Sequence, residues 1–198
     1  MNICVYGASS NAIDKKYIEA VENLGEIMGN RGHGLVFGGG ASGAMGAAAR
    51  GVARTENPVI IGIAPSFFRV DGVLFEGCTE LIHTETMRQR KQLLEDLASG
   101  YVIAPGGIGT YDEFFEMITL KQLGRHNKPM VIFNVDGYYE PLLALLRHTV
   151  DGKFMNESTM DLIYVTEDAE DAVRYIEEYD EPPHPVSFFK EIDEGEED

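Results

Sequence analysis

The sequence has few of the features that mark secreted or membrane proteins. Its 198 residues include only two cysteines and no tryptophan, so neither a disulfide framework nor a cysteine-based metal site is expected. No apolar run approaches the roughly 18 residues that a membrane-spanning helix needs. The first residues lead directly into a glycine- and serine-rich stretch at 7–10, which predicts no secretory signal peptide. These absences predict a cytoplasmic protein in a reducing compartment, without a membrane partner.

Basic residues are also scarce. The chain holds 16 lysines and arginines against 33 aspartates and glutamates, a net charge of −17. Fourteen of the acids lie in residues 167–198, beside only two basic residues. Such a field disfavours a nucleic-acid partner. A small phosphorylated ligand is still compatible with the sequence, because its binding depends on local hydrogen-bond donors.

The apolar residues, 44% of the chain, fall into short runs without polar alternation, separated by segments of helical periodicity. This pattern predicts a parallel sheet with helices on both faces. Because crossover connections are right-handed, we expect an α/β Rossmann-like fold, a doubly wound parallel sheet in three layers. The length fits a single domain, predicted at residues 1–181. Residues 182–198 are predicted to form a proline-containing acidic tail that is partly disordered.

The apolar runs and periodic segments also predict where the elements lie. Strands are predicted at residues 3–6, 35–37, 59–63, 101–104, 130–133 and 162–165. Helices are predicted at residues 14–30, 42–54, 86–97, 110–123, 139–150 and 167–179. Residues 64–80 are predicted to be irregular.

Three loops that follow predicted strands are rich in glycine and other small residues: 7–10, 38–43 and 105–110. In doubly wound sheets, ligands bind beyond the carboxyl ends of the strands. Glycine lets the backbone approach a ligand closely, and the unpaired N–H groups of a following helix favour an anion. The three loops therefore predict a phosphate-containing ligand, although glycines that merely form tight turns remain an alternative.

The second loop also matches the dinucleotide-binding pattern G-x-G-x-x-G through Gly38, Gly40 and Gly43. That pattern requires an acid at the end of the next strand to hold the ribose hydroxyls. Glu56 lies before this strand rather than after it, so a nicotinamide-dependent dehydrogenase is only weakly indicated. No Gly-Lys-Ser/Thr follows the glycines, which excludes a Walker A loop, and the five histidines lack metal-ligand spacing. No cofactor and no metal are predicted.

The third loop leads into a segment with two closely spaced glutamates. Thr110 and Glu113 have the spacing of a capping box, with Thr110 as the N-cap. Glu116 follows Glu113 by three residues, so both carboxylates are expected on one helical face. Because like charges at that spacing destabilise a helix, we expect a cationic or polyhydroxyl partner, such as a sugar, to meet them.

The preceding predicted helix begins with basic residues, Arg88, Arg90 and Lys91. Positive charge at a helix N-terminus opposes the helix dipole. A solvated basic face would explain the run. The alternative is that these cations face an anionic ligand or the two glutamates, a role to which arginine is well suited because it binds carboxylate and phosphate bidentately.

Residues 105–113, P-G-G-I-G-T-Y-D-E, resemble the PGGxGTxxE motif of the Lonely guy family. Members of this family are cytokinin riboside 5′-monophosphate phosphoribohydrolases, formerly labelled possible lysine decarboxylases. Further stretches of resemblance extend it over about residues 3–165: 38–46, 87–91, 116–119, 122–124 and 134–139. The chain departs from the family pattern at Arg88-Gln89, where the family commonly has His-Glu, and at Asp112, where it has Glu.

The resemblance implies a homodimer, or an assembly of dimers, that hydrolyses the N-glycosidic bond of a purine nucleoside 5′-monophosphate, either cytokinin-type or AMP-like. The products are the free base and ribose 5-phosphate. By matching position, Arg90 and Glu113 are implied to be catalytic. Residues 107–110 are implied to hold the phosphate. The candidate substrate-binding residues are Gly7, Ser9, Gly38, Gly39, Gly43, Met87, Lys91, Gly106, Gly107, Ile108, Gly109, Thr110, Glu116 and Thr119.

A second interpretation is a non-catalytic carrier or sensor that binds a nucleotide or nucleotide-like cofactor on the same loops. A carrier needs hydrogen-bond donors but no facing carboxylates, so Arg90, Glu113 and Glu116 favour the enzyme. The decarboxylase label has no support of its own, because no lysine lies in a recognisable pyridoxal-phosphate context. The preferred base stays open at this point.

Overall fold

A computed structural model describes residues 1–68 and 72–183 of the chain. The predicted tail at 182–198 lies almost entirely outside the described residues. The division into a domain and a tail therefore stays a prediction. Within the described residues, no helix combines the length and apolarity needed to cross a bilayer.

One sheet and its flanking helices make up the described structure. Seven strands form the sheet: β1 (Asn2–Tyr6), β2 (Gly34–Phe37), β3 (Ile60–Pro65), β4 (Glu80–Thr84), β5 (Gly100–Ile103), β6 (Met130–Phe133) and β7 (Tyr164–Thr166). The α-helices are α1 (Lys15–Asn30), α2 (Gly43–Ala53), α3 (Met87–Leu97), α4 (Ile108–Gln122), α5 (Glu140–Asp151) and α6 (Ala169–Glu178). Short 3₁₀ segments lie at Ser66–Phe68, Val135–Gly137 and Glu157–Leu162.

The strand order is β4-β3-β2-β1-β5-β6-β7, and every neighbouring pair is parallel. The chain builds from β1 towards one edge, then returns to place β5 beside β1 and continues to the other edge. Tyr6, at the end of β1, lies opposite Ile103, at the end of β5. The loops after these strands therefore leave the sheet side by side, at the switch point where such sheets bind ligands. The predicted Rossmann-like fold is confirmed.

Helices cover both faces of the sheet because the inner strands carry apolar side chains on both. On one face the strands pack against α1, α2 and α6, with Leu24 and Val173 in this buried layer. On the other face they pack against α3, α4 and α5, with Leu94 and Leu146 buried there. The arrangement confirms the three predicted layers and places α3 and α4 on the same side.

Strand β4 was not predicted from the sequence. It lies at the edge of the sheet beside β3, at the end of the segment predicted to be irregular, and most of its residues are not fully buried. Because only one of its sides meets another strand, it lacks the continuous apolar run that marks the inner strands. The last strand also differs: β7 begins at Tyr164 rather than residue 162, because Leu162 ends a 3₁₀ segment.

Helix α4 begins earlier than predicted, and the predicted capping box at its start is wrong. Gly107 is the N-cap residue and makes no side-chain capping bond, so Thr110 lies within the first turn. Thr110 is buried, and its side chain packs so closely against Gly106 that a Cβ at Gly106 would overlap it. The hydroxyl therefore fills space beneath the loop instead of capping the helix. A capping box is present on α3, between Thr86 and Gln89.

Candidate active site

A cavity of about 680 Å³ opens at the switch point between β1 and β5. The loop after β1 contributes residues 7–10, and the loop that begins α4 contributes residues 107–110. Gly38 and Gly40, after β2, form a further wall, and the start of α3 contributes Met87 and Arg90. All three predicted glycine-rich loops therefore meet around one space.

A buried ion pair lies in the wall of this cavity. Arg90 of α3 donates from Nη1 to Oε1 of Glu113 on α4 at 2.8 Å, and both residues are only 8% exposed. The Arg90 Nε also donates to the carbonyl of Ile63 at 3.2 Å. The guanidinium packs against Gly38, where a Cβ would overlap Nη2. Its position is therefore set by the ends of β2 and β3 as well as by Glu113.

The surroundings of Glu113 have opposing effects on its charge. Burial raises the pKa of its carboxyl group above the usual value, and the adjacent Arg90 guanidinium acts in the opposite direction. A buried carboxylate beside a guanidinium can stabilise positive charge that develops nearby, because it is little screened by water. Such a pair is suited to a reaction in which a cationic centre forms in the cavity.

Lys91 forms an ion pair with Glu116, the second glutamate of α4. Its Nζ lies 2.6 Å from Oε2 of Glu116 and 3.2 Å from Oδ2 of Asp112. These contacts raise the pKa of the Lys91 amine, the one with Glu116 most. The prediction that basic residues of α3 face Glu113 and Glu116 is thus confirmed for Arg90 and Lys91. Arg88 is exposed and forms no ion pair with any residue that the structure describes.

The three glycine-rich loops differ in the hydrogen bonds of their N–H groups. At the start of α2, the N–H of Gly43 donates to Asn11 Oδ1 at 2.8 Å, and the N–H of Met45 donates to the carbonyl of Ala8 at 3.1 Å. At the start of α4, residues 107–110 have no N–H bonded to an acceptor in the described part of the chain. An uncapped helix N-terminus that opens onto a cavity is a site for an anion.

The backbone at this N-terminus is also sterically open. A Cβ built on Gly107 or Gly109 would meet no atom within 4 Å. Both residues line the cavity, so a ligand can approach the backbone closely here. The start of α4 is therefore the best candidate for the phosphate site among the three loops.

Apolar side chains also line the cavity. Phe68, Val73 and Met87 line it and remain 41%, 39% and 41% exposed, and Leu74 lies beside them. The segment with Val73 and Leu74 is fixed to the second glycine loop, because the N–H of Ala41 donates to the Val73 carbonyl at 3.0 Å. Exposed apolar side chains inside a cavity are suited to a flat, weakly polar ring.

Comparisons with known proteins agree with this geometry. The chain matches a family described as "Possible lysine decarboxylase" over residues 45–176. It is 36% identical over 162 residues to the cytokinin riboside 5′-monophosphate phosphoribohydrolase of Rhodococcoides fascians, which covers 81% of each chain. It is 34% identical over 172 residues to the protein of the same name from Mycobacterium tuberculosis, which covers 87% of this chain and 91% of that one. The chain belongs to the Lonely guy family of phosphoribohydrolases.

The fold of this Lonely guy family member is also found in solved structures of proteins with low sequence identity to it. The molybdenum cofactor carrier protein of Chlamydomonas reinhardtii aligns with a TM-score of 0.67, over 89% of this chain and 95% of that one. The two sequences are 19% identical, so this likeness extends to the fold alone.

The cavity of this Lonely guy family member brings together ten of the sixteen predicted site residues. These are Gly7, Ser9, Gly38, Met87, Arg90, Gly107, Ile108, Gly109, Thr110 and Glu113. The other six do not line it within the described residues: Gly39, Gly43, Lys91, Gly106, Glu116 and Thr119. Roles in binding or catalysis stay predictions for both groups.

The sequence did not point to several residues of the cavity wall. Phe68, Val73 and Leu74 belong to the segment that was predicted only as irregular, and no periodicity marks them. Met45, a further lining residue, lies in the helix predicted at residues 42–54. The place of Val73 and Leu74 in the wall depends on backbone contacts with the second loop, which no local pattern reveals.

Proposed function

We propose that this chain hydrolyses the N-glycosidic bond of a purine nucleoside 5′-monophosphate and releases the free base and ribose 5-phosphate. The observation that carries the proposal is the buried Arg90–Glu113 pair, which opens onto the same cavity as the uncapped N-terminus of α4. The names of the two curated relatives support it, since both are phosphoribohydrolases of a nucleoside 5′-monophosphate.

We assign the substrate one orientation in the cavity. The 5′-phosphate would accept hydrogen bonds from the N–H groups of residues 107–110, where the helix dipole favours negative charge. The ribose would then lie towards Glu113, one turn further along α4. The base would lie against the apolar side chains of Phe68, Leu74 and Met87.

The reaction would break the bond between the anomeric carbon and the base nitrogen. Cleavage of a glycosidic bond passes through a state with positive charge on the sugar, which a nearby carboxylate stabilises. Glu113 would supply this charge, and Arg90 would keep its carboxylate oriented towards the sugar. Water would add its hydroxyl group to the anomeric carbon, and its proton would leave with the base. Because the phosphate is held away from the breaking bond, its binding energy would hold the sugar in the reactive position.

Several finer points belong to the same proposal. We expect a homodimer or an assembly of dimers, a cytoplasmic location, and no nucleic-acid or membrane partner. No cofactor is needed for the reaction as written. Lys91, Glu116 and Thr119 are proposed to influence the sugar-phosphate site from beside the cavity, because Lys91 and Glu116 bridge α3 and α4 next to the catalytic pair.

The alternative function is a carrier that binds a nucleotide or nucleotide-like cofactor without converting it. The solved carrier structures favour it only through the shared fold. A carrier needs hydrogen-bond donors for its ligand but no carboxylate that faces the sugar, so it gains nothing from Glu113 at this position. The geometry therefore favours the enzyme.

Incubation with AMP and chromatography of the products distinguish the two functions. The proposal predicts equal amounts of adenine and ribose 5-phosphate, with release that saturates as AMP rises. Unphosphorylated adenosine, which lacks the anchoring group, is expected to react far more slowly. Tight AMP binding without adenine release would contradict the hydrolase and favour the carrier.

A further inference from the structure

Two neighbouring tyrosines hold the loop that leads into α4. The hydroxyl of Tyr138 donates to the carbonyl of Gly106 at 2.7 Å, and the hydroxyl of Tyr139 donates to the carbonyl of Ala104 at 2.7 Å. Both come from the connection between β6 and α5. The two bonded carbonyls lie on either side of Pro105.

The tyrosines are themselves well fixed. The 3₁₀ segment Val135–Gly137 turns the chain, with positive φ at Asp136 and Gly137. The N–H of Tyr139 donates to Asn134 Oδ1 at 2.7 Å, which holds the backbone beside Tyr138. The rings of Tyr138 and Tyr139 pack edge to face, with centroids 4.9 Å apart.

The hydrogen bond from Tyr138 fixes the peptide group between Gly106 and Gly107, which lies at the proposed phosphate site. The carbonyl of Gly106 and the N–H of Gly107 belong to the same peptide unit. This unit is trans, so the two groups point in opposite directions. Gly107 lines the cavity, whereas Tyr138 is not among its described lining residues. The N–H of Gly107, a residue that borders the cavity, therefore points away from the Tyr138 hydroxyl.

This peptide unit would otherwise turn easily. It lies between two glycines, which have the widest choice of backbone conformations. Rotation of the unit would place a carbonyl oxygen, rather than an N–H group, where the phosphate is proposed to bind. A hydrogen bond that polarises the carbonyl also strengthens the N–H of the same unit as a donor.

Resting on the proposed function, we infer that Tyr138 is a positioning residue: it holds the Gly106–Gly107 peptide so that its N–H faces the 5′-phosphate. Tyr138 would not touch the substrate. Its contribution would therefore be to the affinity for phosphate-containing ligands and not to the breaking of the glycosidic bond.

Tyr138→Phe tests this inference, with Tyr139→Phe as its matched control. Tyr139 makes a bond of the same length to Ala104, but that peptide unit ends in Pro105 and has no N–H group. Tyr139 also interacts with the backbone of Gly106, which does not line the cavity. Burial and the neighbouring Tyr111 side chain raise the pKa of Tyr138 to about 12, so Tyr111→Phe serves as a second control that changes the surroundings of Tyr138 but leaves the bond to Gly106 in place.

The readout is the affinity of each full-length variant for AMP and for inorganic phosphate, measured by titration calorimetry. In Tyr138→Phe, the dissociation constants of both are expected to rise about tenfold. If AMP is hydrolysed, its KM should rise while kcat changes by less than about threefold. Tyr139→Phe and Tyr111→Phe should keep both affinities within about twofold of the wild type, even where their melting temperatures fall.

The outcomes separate this inference from the proposed function. Wild-type affinity in Tyr138→Phe, or an equal loss in Tyr139→Phe, would overturn the inference while the hydrolase stands. If the wild type binds AMP but releases no adenine, and Tyr138→Phe weakens that binding, the inference holds and the hydrolase fails. A wild type that binds neither AMP nor phosphate would overturn both.

Discussion

Gly38, at the end of β2, lies directly against the guanidinium of Arg90. A side chain at this position would occupy the space of Nη2, which is fixed by the bonds of Arg90 to Ile63 and Glu113. The sequence motif indicated that Gly38 belongs to a ligand cradle, as one of three glycines in a phosphate-binding pattern. The structure adds a different physical reason for the glycine, which is the position of the neighbouring arginine.

We therefore expect Gly38→Ala to displace Arg90 and reduce kcat/KM for AMP by at least about tenfold. The melting temperature should fall as well, because displacing the arginine weakens a buried ion pair, so kcat/KM is compared at a temperature where both variants are folded. Gly40→Ala is the control, since its Cβ would meet only the flexible side chain of Met45, at 3.1 Å from Cε. Equal losses in both variants would show that the Arg90 contact has no special importance.

Glu113→Gln tests the other half of the buried pair. The amide keeps the size of the side chain but cannot stabilise positive charge on the sugar, so kcat should fall about a hundredfold or more. AMP affinity should stay within a few-fold of the wild type, as measured by calorimetry. Glu116→Gln is the matched control on the same helix, and a smaller loss of kcat is expected because Glu116 does not line the described cavity. Wild-type turnover in Glu113→Gln would contradict the proposed role.

At the scale of elements, the start of α3 shows what local sequence can and cannot decide. Thr86–Gln89 and Thr110–Glu113 both have the spacing of a capping box, and only the first forms one. The second threonine is buried beneath the preceding glycine loop instead. The inner strands and the helices could be predicted because their apolar runs and periodicities are local. The half-exposed edge strand β4 has neither signal.

Thr86→Ala tests the importance of the observed cap. Thr86 Oγ1 accepts from the N–H of Gln89 at 3.2 Å, and the Gln89 side chain accepts from the N–H of Thr86 at 3.2 Å. Losing the hydroxyl should lower the free energy of unfolding by about 1 kcal/mol, measured by urea denaturation. Thr119→Ala, an exposed position within α4, should change it by less than about 0.5 kcal/mol. An equal effect of the two substitutions would contradict the cap.

At the scale of the whole molecule, the sheet topology assembles the candidate site. Three loops far apart in the sequence meet because β5 returns to lie beside β1, between the two halves of the sheet. A parallel sheet and ligand binding at its strand ends could be predicted from the sequence. The apolar wall with Phe68, Val73 and Leu74 could not, since it forms through contacts between distant segments. The same holds for the tyrosine support beneath the α4 loop.

Buried charge elsewhere in the molecule gives its stability a pH dependence. Lys121 of α4 is 5% exposed, and its amine donates to the Leu162 carbonyl at 3.2 Å and lies 4.7 Å from the ring centroid of Tyr179. Burial lowers the pKa of Lys121 from 10.5 to about 8. Between these two pH values the unfolded chain binds more protons than the folded one. The free energy of unfolding that this group contributes therefore rises with pH from about 8 to 10.5.

Replacing Lys121 by methionine, which has a similar length, removes this dependence. Relative to the wild type, Lys121→Met should be most stable at pH 7, where the wild type holds a charged amine in an apolar environment. This difference should decrease steadily between pH 8 and 10 in urea denaturation, because the wild-type amine must release a proton on folding and the free-energy cost of that release falls as the pH approaches 10.5. Lys15→Met, at an exposed position, controls for the loss of a positive charge. If the free energies of unfolding of the wild type and Lys121→Met change in parallel over this pH range, the pKa of Lys121 is not lowered in the folded protein and the prediction is wrong.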